Sequence, residues 1–276
     1  MTAVTALCLV VSAAVVGAGC GHEARRSAEP RQLMGPTVTT GLRPTRPRIV
    51  SPHDRPIPIL MYHVVGPLPP DEPFPSLVVS RPDFAGQLRW LRRNGYHVVT
   101  LRQAYDYWRR GFALPRRPVV LSFDDGYPED FSVVAPLLRR FGWPGVLNLE
   151  ILHVVHGDLS PAKLLTLVRL GWEIDAHTIT HPDLTTVDAT RLWHEVAGSR
   201  AWIRRVLRVP ADFFAYPSGR YDAQVIAAVR AAGFLGAVTE NYGEAAPGDG
   251  MFTLDRLRVD RSDGVAGVAA KLSASR

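Results

Sequence analysis

Residues 118–149 read PVVLSFDDGYPEDFSVVAPLLRRFGWPGVLNL. A fully apolar run ends in two adjacent carboxylates and a glycine, an amphipathic stretch covers 128–142, and a second apolar run starts at Gly145. A short apolar run bounded by turn residues reads as a strand buried on both faces, and the helical period between two such runs reads as a crossover helix. Strand, helix, strand predicts a parallel pair in an α/β protein.

The same alternation continues in both directions. Upstream lie the apolar run 57–65 (IPILMYHVV), an amphipathic stretch at 83–95, a second run at 97–101 and another amphipathic stretch at 102–111. Downstream come helices at 161–171, 189–207 and 223–233, between strands at 172–177, 212–219, 235–240 and 252–259. Seven or eight units in the residues after 56 fit a distorted (β/α) barrel, while a doubly wound open sheet gives similar local signals. In either architecture chemistry belongs at the carboxyl ends of the strands.

The charge balance argues against nucleic acid as a partner. The chain carries a formal +6, but residues 22–56 hold seven Arg against Glu23, Glu29 and Asp54, so +4 of that sits in a Pro-rich lead-in. A nearly neutral domain behind it lacks the clustered basic face that binds phosphates. The two cysteines are Cys8 and Cys20, so the domain after residue 56 holds neither a disulfide nor a cysteine zinc site. Any metal there is held by histidine and carboxylate.

Thr2–Gly19 is uncharged and mostly apolar, and small residues lead into Cys20. This segment resembles a bacterial lipoprotein signal, with residues 1–20 as the signal and Cys20 as the lipidated residue; an uncleaved membrane anchor and plain secretion are the alternatives. Each places the domain outside the cytoplasm, and an anchor holds it at the cell envelope. Residues 21–56 have no apolar period and read as a tether, leaving 57–276 as the folded domain.

Three clusters fall at predicted strand ends. Asp124 and Asp125 are neighbouring like charges that need a cation or hydrogen-bond donor, and on an extended segment they point to opposite sides. His177 and His181, four apart in HTITH, can bring both rings to one ion if the segment turns between them. Two imidazoles and one carboxylate with open positions are the equipment of a catalytic zinc-type site. Phe213–Gly219 (FFAYPSG) runs a hydrophobic strand into a turn that can present a backbone N–H to an oxyanion.

With these residues in view, the sequence resembles the polysaccharide deacetylase family, carbohydrate esterase family four. SFDDG at 122–126, HTITH at 177–181 and FAYPSG at 214–219 look like its first, second and third motifs. The runs 58–65 and 254–259 are similar to the branch that includes poly-N-acetylglucosamine deacetylases. The resemblance implies that Asp124 is the catalytic base, that Asp125, His177 and His181 bind Zn2+ or another divalent transition metal, and that a backbone oxyanion donor lies near Ser218. It implies Tyr216 and Pro217 as substrate-binding residues and an acetylated polysaccharide of the envelope or biofilm matrix as substrate. Esterase action on acetylated xylan-like sugars and a catalytically weak carbohydrate-binding lipoprotein are the competing functions.

The sequence departs from the family's pattern at three places. Ala215 and Tyr216 stand where an Arg commonly orients the catalytic Asp, and Arg256 or Arg258 is expected to pair with Asp124 instead. Ser218 replaces a commoner aromatic. The late histidine that serves many relatives as general acid is missing, since the last one is His194; His63, near the end of the first strand, is expected to supply that proton or to stand behind the ligands. Asp183 reads as a turn residue, Glu150 as a candidate cleft residue, and Tyr127, Trp172 and Tyr216 as candidate sugar platforms.

Overall fold

The computed structural model describes residues 53–274. In chain order it contains β1 (Ile59–Tyr62), β2 (Val64–Val65), β3 (Val78–Val79), α1 (Arg81–Arg93), β4 (His97–Val98), α2 (Leu101–Arg110), β5 (Pro118–Asp125), α3 (Ala135–Arg139), β6 (Val146–Leu149) and α4 (Ile151–His156). There follow α5 (Pro161–Arg169), β7 (Glu173–Ala176), α6 (Ala189–Leu207), β8 (Phe213–Ala215), α7 (Ala223–Ala231), β9 (Gly236–Tyr242), β10 (Leu254–Arg258) and α8 (Gly264–Ala274).

The strands pair in parallel in the order β1-β10-β9-β8-β7-β6-β5, and β1 also pairs with β5. That last pairing closes a seven-stranded barrel, which decides between the two architectures left open by the sequence. β4 pairs only with β5 and hangs outside the ring, and β2 and β3 form a separate small sheet. The 57–65 run, expected as one strand, is therefore broken at His63.

Strand alternation sorts the side chains. On β5, Val119, Leu121 and Phe123 join the apolar layer beneath the helices, with Leu60 and Tyr62 of β1 and Leu147 and Leu149 of β6. The opposite parity faces inward: Val120 packs with Ile59, Val146, Phe213 and Leu254, and α2 adds Leu101, Ala104 and Trp108 to this inner cluster. Ser122, Asp124, Asn148 and Arg256 are buried polar residues of the same inward parity, so the barrel is apolar at one end and polar at the carboxyl end.

Helix ends follow local chemistry. Ser80, Thr100, Ser160, Asp188 and Asp222 each cap a helix by accepting from the backbone N–H three residues on. The amphipathic stretch after β5 opens as a π-helical turn over Asp130–Val134 before α3. Two helices were not expected from sequence. α4 begins directly after β6, so the predicted strand stops at Leu149, and α8 docks on α1, where Gln87 Nε2 donates to Gly264 O at 2.8 Å.

Residues 1–20, Cys20 and most of the tether lie outside the described residues. The last four residues of the predicted tether are described and touch α2: His53 stacks on Tyr107 at 4.5 Å, and Trp108 Nε1 donates to Arg55 O at 3.0 Å.

Candidate active site

β5 delivers the two carboxylates in opposite directions, as alternation requires. Asp124 turns into the barrel, where Arg256 Nη1 and Nη2 donate to its Oδ1 and Oδ2, each at 2.8 Å, and Asn148 Nδ2 donates to Oδ1 at 2.8 Å. Burial alone would raise this carboxyl, but the Arg256 charge and hydrogen bonds, helped by His177 and His63, hold it well below the usual carboxylate range. The Arg expected to pair with Asp124 is therefore Arg256; Arg258 pairs with Glu240 at 3.0 Å and Asp260 at 3.3 Å.

A register shift in the sheet places Arg256. Leu254 pairs with Val238 but Arg256 pairs with Tyr242, so β9 bulges between them. Arg256 Nε donates to Thr239 O within that bulge at 2.7 Å, which with the Asp124 pair leaves the guanidinium fully engaged.

Asp125 ends β5 with a left-handed backbone (φ 76°), and Gly126 follows at φ 105°. A Cβ at Gly126 would lie 2.7 Å from Leu149 Cδ1, so the glycine permits both the conformation and the close approach to β6. His177 follows β7 and His181 closes a tight turn in which Thr178 and His181 both have positive φ. Thr178 Oγ1 accepts from His181 N at 2.9 Å, and Glu195 of α6 accepts from Ile179 N and Thr180 N, each at 2.9 Å. Glu195 is 2% exposed, so a buried carboxylate fixes the loop between the two histidines.

The ligand atoms converge. Asp125 Oδ1, His177 Nε2 and His181 Nε2 lie within 4.8 Å of one another, with His177 Nε2 3.1 Å from His181 Nε2 and 3.5 Å from Asp125 Oδ1. Two ligands each about 2.1 Å from one ion are at most about 4.2 Å apart, and all three pairs meet that limit, the longest being His181 Nε2 to Asp125 Oδ1 at 3.8 Å. His177 Nδ1 donates to Ala215 O at 2.8 Å, which leaves Nε2 with a free lone pair. Burial lowers the His177 pKa, against the pull of Asp124 and Asp125, and so favours the neutral, ligating ring. The donor set fits a divalent transition ion.

These residues line a cleft of about 370 Å³ with His63, Phe74, Leu77, Tyr127, Glu150, His153, Ser218, Glu240 and Arg258. Ser218 is exposed on its wall at φ 52°, in the short turn Pro217–Gly219. A Cβ at Gly219 would lie 2.7 Å from Glu240 Cβ, so the turn packs against β9 only with glycine there. Burial, then Asp125, raises the Tyr127 hydroxyl pKa, keeping it protonated.

Some expected residues stand elsewhere. Tyr216 and Pro217, expected to touch substrate, are buried and do not line the cleft. Tyr216 has the outward parity of β8, stacks on Tyr221 and donates its hydroxyl to Phe252 O at 2.9 Å, so its ring belongs to the helix layer. Trp172 is likewise buried, against Phe123. Asp183 accepts from Thr185 N at 3.1 Å and pairs with Arg220, the work of a turn residue.

The sequence reading missed Asn148, Glu195 and the His153–Asp158 pair. Asn148 was visible as a lone polar residue of inward parity in β6. Glu195 was visible as a carboxylate on the apolar stripe of α6 that includes Leu192, Val196 and Ile203.

A carboxylate and two imidazoles aimed at one point, next to a buried, ionised second carboxylate at the carboxyl mouth of a β/α barrel, form a site able to hold a divalent ion beside a proton acceptor. The sequence pattern of the polysaccharide deacetylase family matches residues 113–237, which include Asp124, Asp125, His177, His181 and Ser218. The Bacillus subtilis (strain 168) protein YxkH is 28% identical over 216 residues, 77% of this chain and 74% of that protein. The poly-beta-1,6-N-acetyl-D-glucosamine N-deacetylase of Escherichia coli (strain K12) is 39% identical over 87 residues, 32% of this chain and only 13% of that enzyme. The solved Streptococcus pyogenes deacetylase PplD shares the fold with a TM-score of 0.75 at 24% identity, covering 80% of this chain and 99% of that one. Over residues 113–237 the chain is similar to the polysaccharide deacetylase family.

Proposed function

We propose that this protein removes N-acetyl groups from an N-acetylglucosamine-containing polysaccharide of the cell envelope or biofilm matrix and releases acetate. The observation that carries the reading is the convergence of Asp125, His177 and His181 on one point of an open cleft, one residue along from the ionised Asp124. The name of the Escherichia coli relative supports the choice of polymer, through the 87 residues that align.

Asp125, His177 and His181 hold Zn2+ or another divalent transition metal. Bound there, such an ion acidifies water and polarises an acyl oxygen. Asp124 acts as the base that accepts the proton of the attacking water. Arg256 and Asn148 fix its direction and keep it ionised at working pH, at some cost in basicity. Ser218 contributes its backbone N–H to the developing oxyanion from the cleft wall. His63, 8% exposed and lining the same cleft, protonates the leaving amine.

The apolar segment before Cys20 supports an exported, lipid-anchored protein acting at the envelope. No helix among the described residues is long and apolar enough to cross a membrane.

Parallel assays on N-acetylglucosamine oligomers and on O-acetylated sugars test the reaction. Acetate is expected from the amide substrates; release confined to the O-acetyl sugars would make the protein an esterase.

A further inference from the structure

Beside the metal-ligand triad the cleft holds a carboxylate that accepts no hydrogen bond from the described residues. Glu150, at the start of α4, is 8% exposed, lines the cleft and makes no capping hydrogen bond to its helix. Its ionic neighbour within 4 Å is His153, whose Nε2 stands 3.7 Å from Glu150 Oε2, beyond hydrogen-bonding reach.

The His153 ring is set from behind. Nδ1–H donates to Asp158 Oδ2 at 2.8 Å, and the Tyr127 ring packs against the imidazole at 5.0 Å. With its proton on Nδ1, the neutral ring offers Nε2 as an acceptor. Two acceptors 3.7 Å apart thus border the same part of the cleft with no donor shared between them. The other carboxylates there are committed, Asp125 to the metal-ligand set and Glu240 to Arg258. A ligand that satisfies both acceptors brings at least two hydrogens and a positive charge, which an ammonium supplies.

We propose that Glu150 and His153 form a subsite for the protonated amino group of a glucosamine unit from which the acetyl has already been removed. The identity of that unit rests on the deacetylase reading; the affinity for an amine does not. The subsite steers the enzyme to acetylated units near existing free amines and so lengthens deacetylated stretches.

The test is calorimetric titration of the full, zinc-loaded chain with a glucosamine oligomer and with its fully N-acetylated counterpart. The wild type is expected to bind the glucosamine oligomer about tenfold more tightly than Glu150→Gln does, the scale of one charge-assisted hydrogen bond. Glu150→Asp is expected to recover part of the difference, and thermal unfolding of each variant checks that it is folded. A wild type that does not prefer the amine oligomer, or a folded Glu150→Gln that keeps the preference, overturns the proposal. The glucosamine oligomer carries no acetyl group, so its binding is read without turnover, and absence of acetate release from every acetylated sugar would strike the deacetylase reading and leave this result to be judged on its own.

Discussion

Arg256 and Asp124 form a two-pronged ion pair sealed from solvent, at 0% and 1% side-chain exposure, joining β10 to β5 across β1. The bulge in β9 supplies a further partner of the guanidinium, Thr239 O, so the pair is built into the barrel's closure. A buried charge stripped of its partner is costly, and both ends of this pair are fully buried.

Arg256→Met is therefore expected to destabilise the fold by about 3–5 kcal/mol, measured by urea unfolding at neutral pH. The sign of the pH effect follows from the lowered Asp124 pKa. The pair's stabilisation is present above the unfolded carboxyl pKa of about 4 and is lost as pH falls below it. The gap between wild type and variant should accordingly narrow in acid.

Glu195→Ala leaves the Ile179 and Thr180 amides without their acceptor. The expected result is weaker zinc binding by roughly 10–100-fold, measured by competition with a chromophoric chelator. Glu195→Gln keeps an acceptor oxygen and should lose less.

Zinc added to chelator-stripped protein should raise its melting temperature, because binding to the folded state adds about 2.7 kcal/mol at a hundredfold excess over Kd. His177→Ala should abolish most of that rise. A rise of the same size in the variant would place the ion elsewhere.

Burial pushes Glu173 up to about 7, and Asp175 beside it is raised as well. A carboxyl whose folded pKa is raised contributes stability below the unfolded value that is lost as pH rises through the folded one. Melting temperature should fall between about pH 5 and 8, and Glu173→Gln should flatten that fall by roughly 3 °C.

The seven barrel strands and the main helices were legible because each carries a clean apolar run or an amphipathic period. The barrel's closure was not, because the β1–β5 pairing joins residues about sixty apart and leaves no local mark. α8 was missed because GVAGVAAKLSA has little amphipathic contrast and gains its place by docking on α1. The metal-ligand cluster was legible from motif spacing, whereas the role given to Tyr216 ignored parity: Ala215 faces inward on β8, so Tyr216 faces out. Glu150 was legible as a cleft residue at a strand end, but His153 needed the structure, because the helix that carries it begins where the sequence read as strand.

The central claim is that Asp124 and the Asp125–His177–His181 set cleave an acetamide. It is tested most directly by acetate release from N-acetylglucosamine oligomers, using chelator-stripped protein refilled with zinc, beside Asp124→Asn. The account predicts release that zinc restores in the wild type and that Asp124→Asn lacks although it still binds one ion per chain. Release by Asp124→Asn at the wild-type rate, or none from the wild type with its zinc bound, would contradict it.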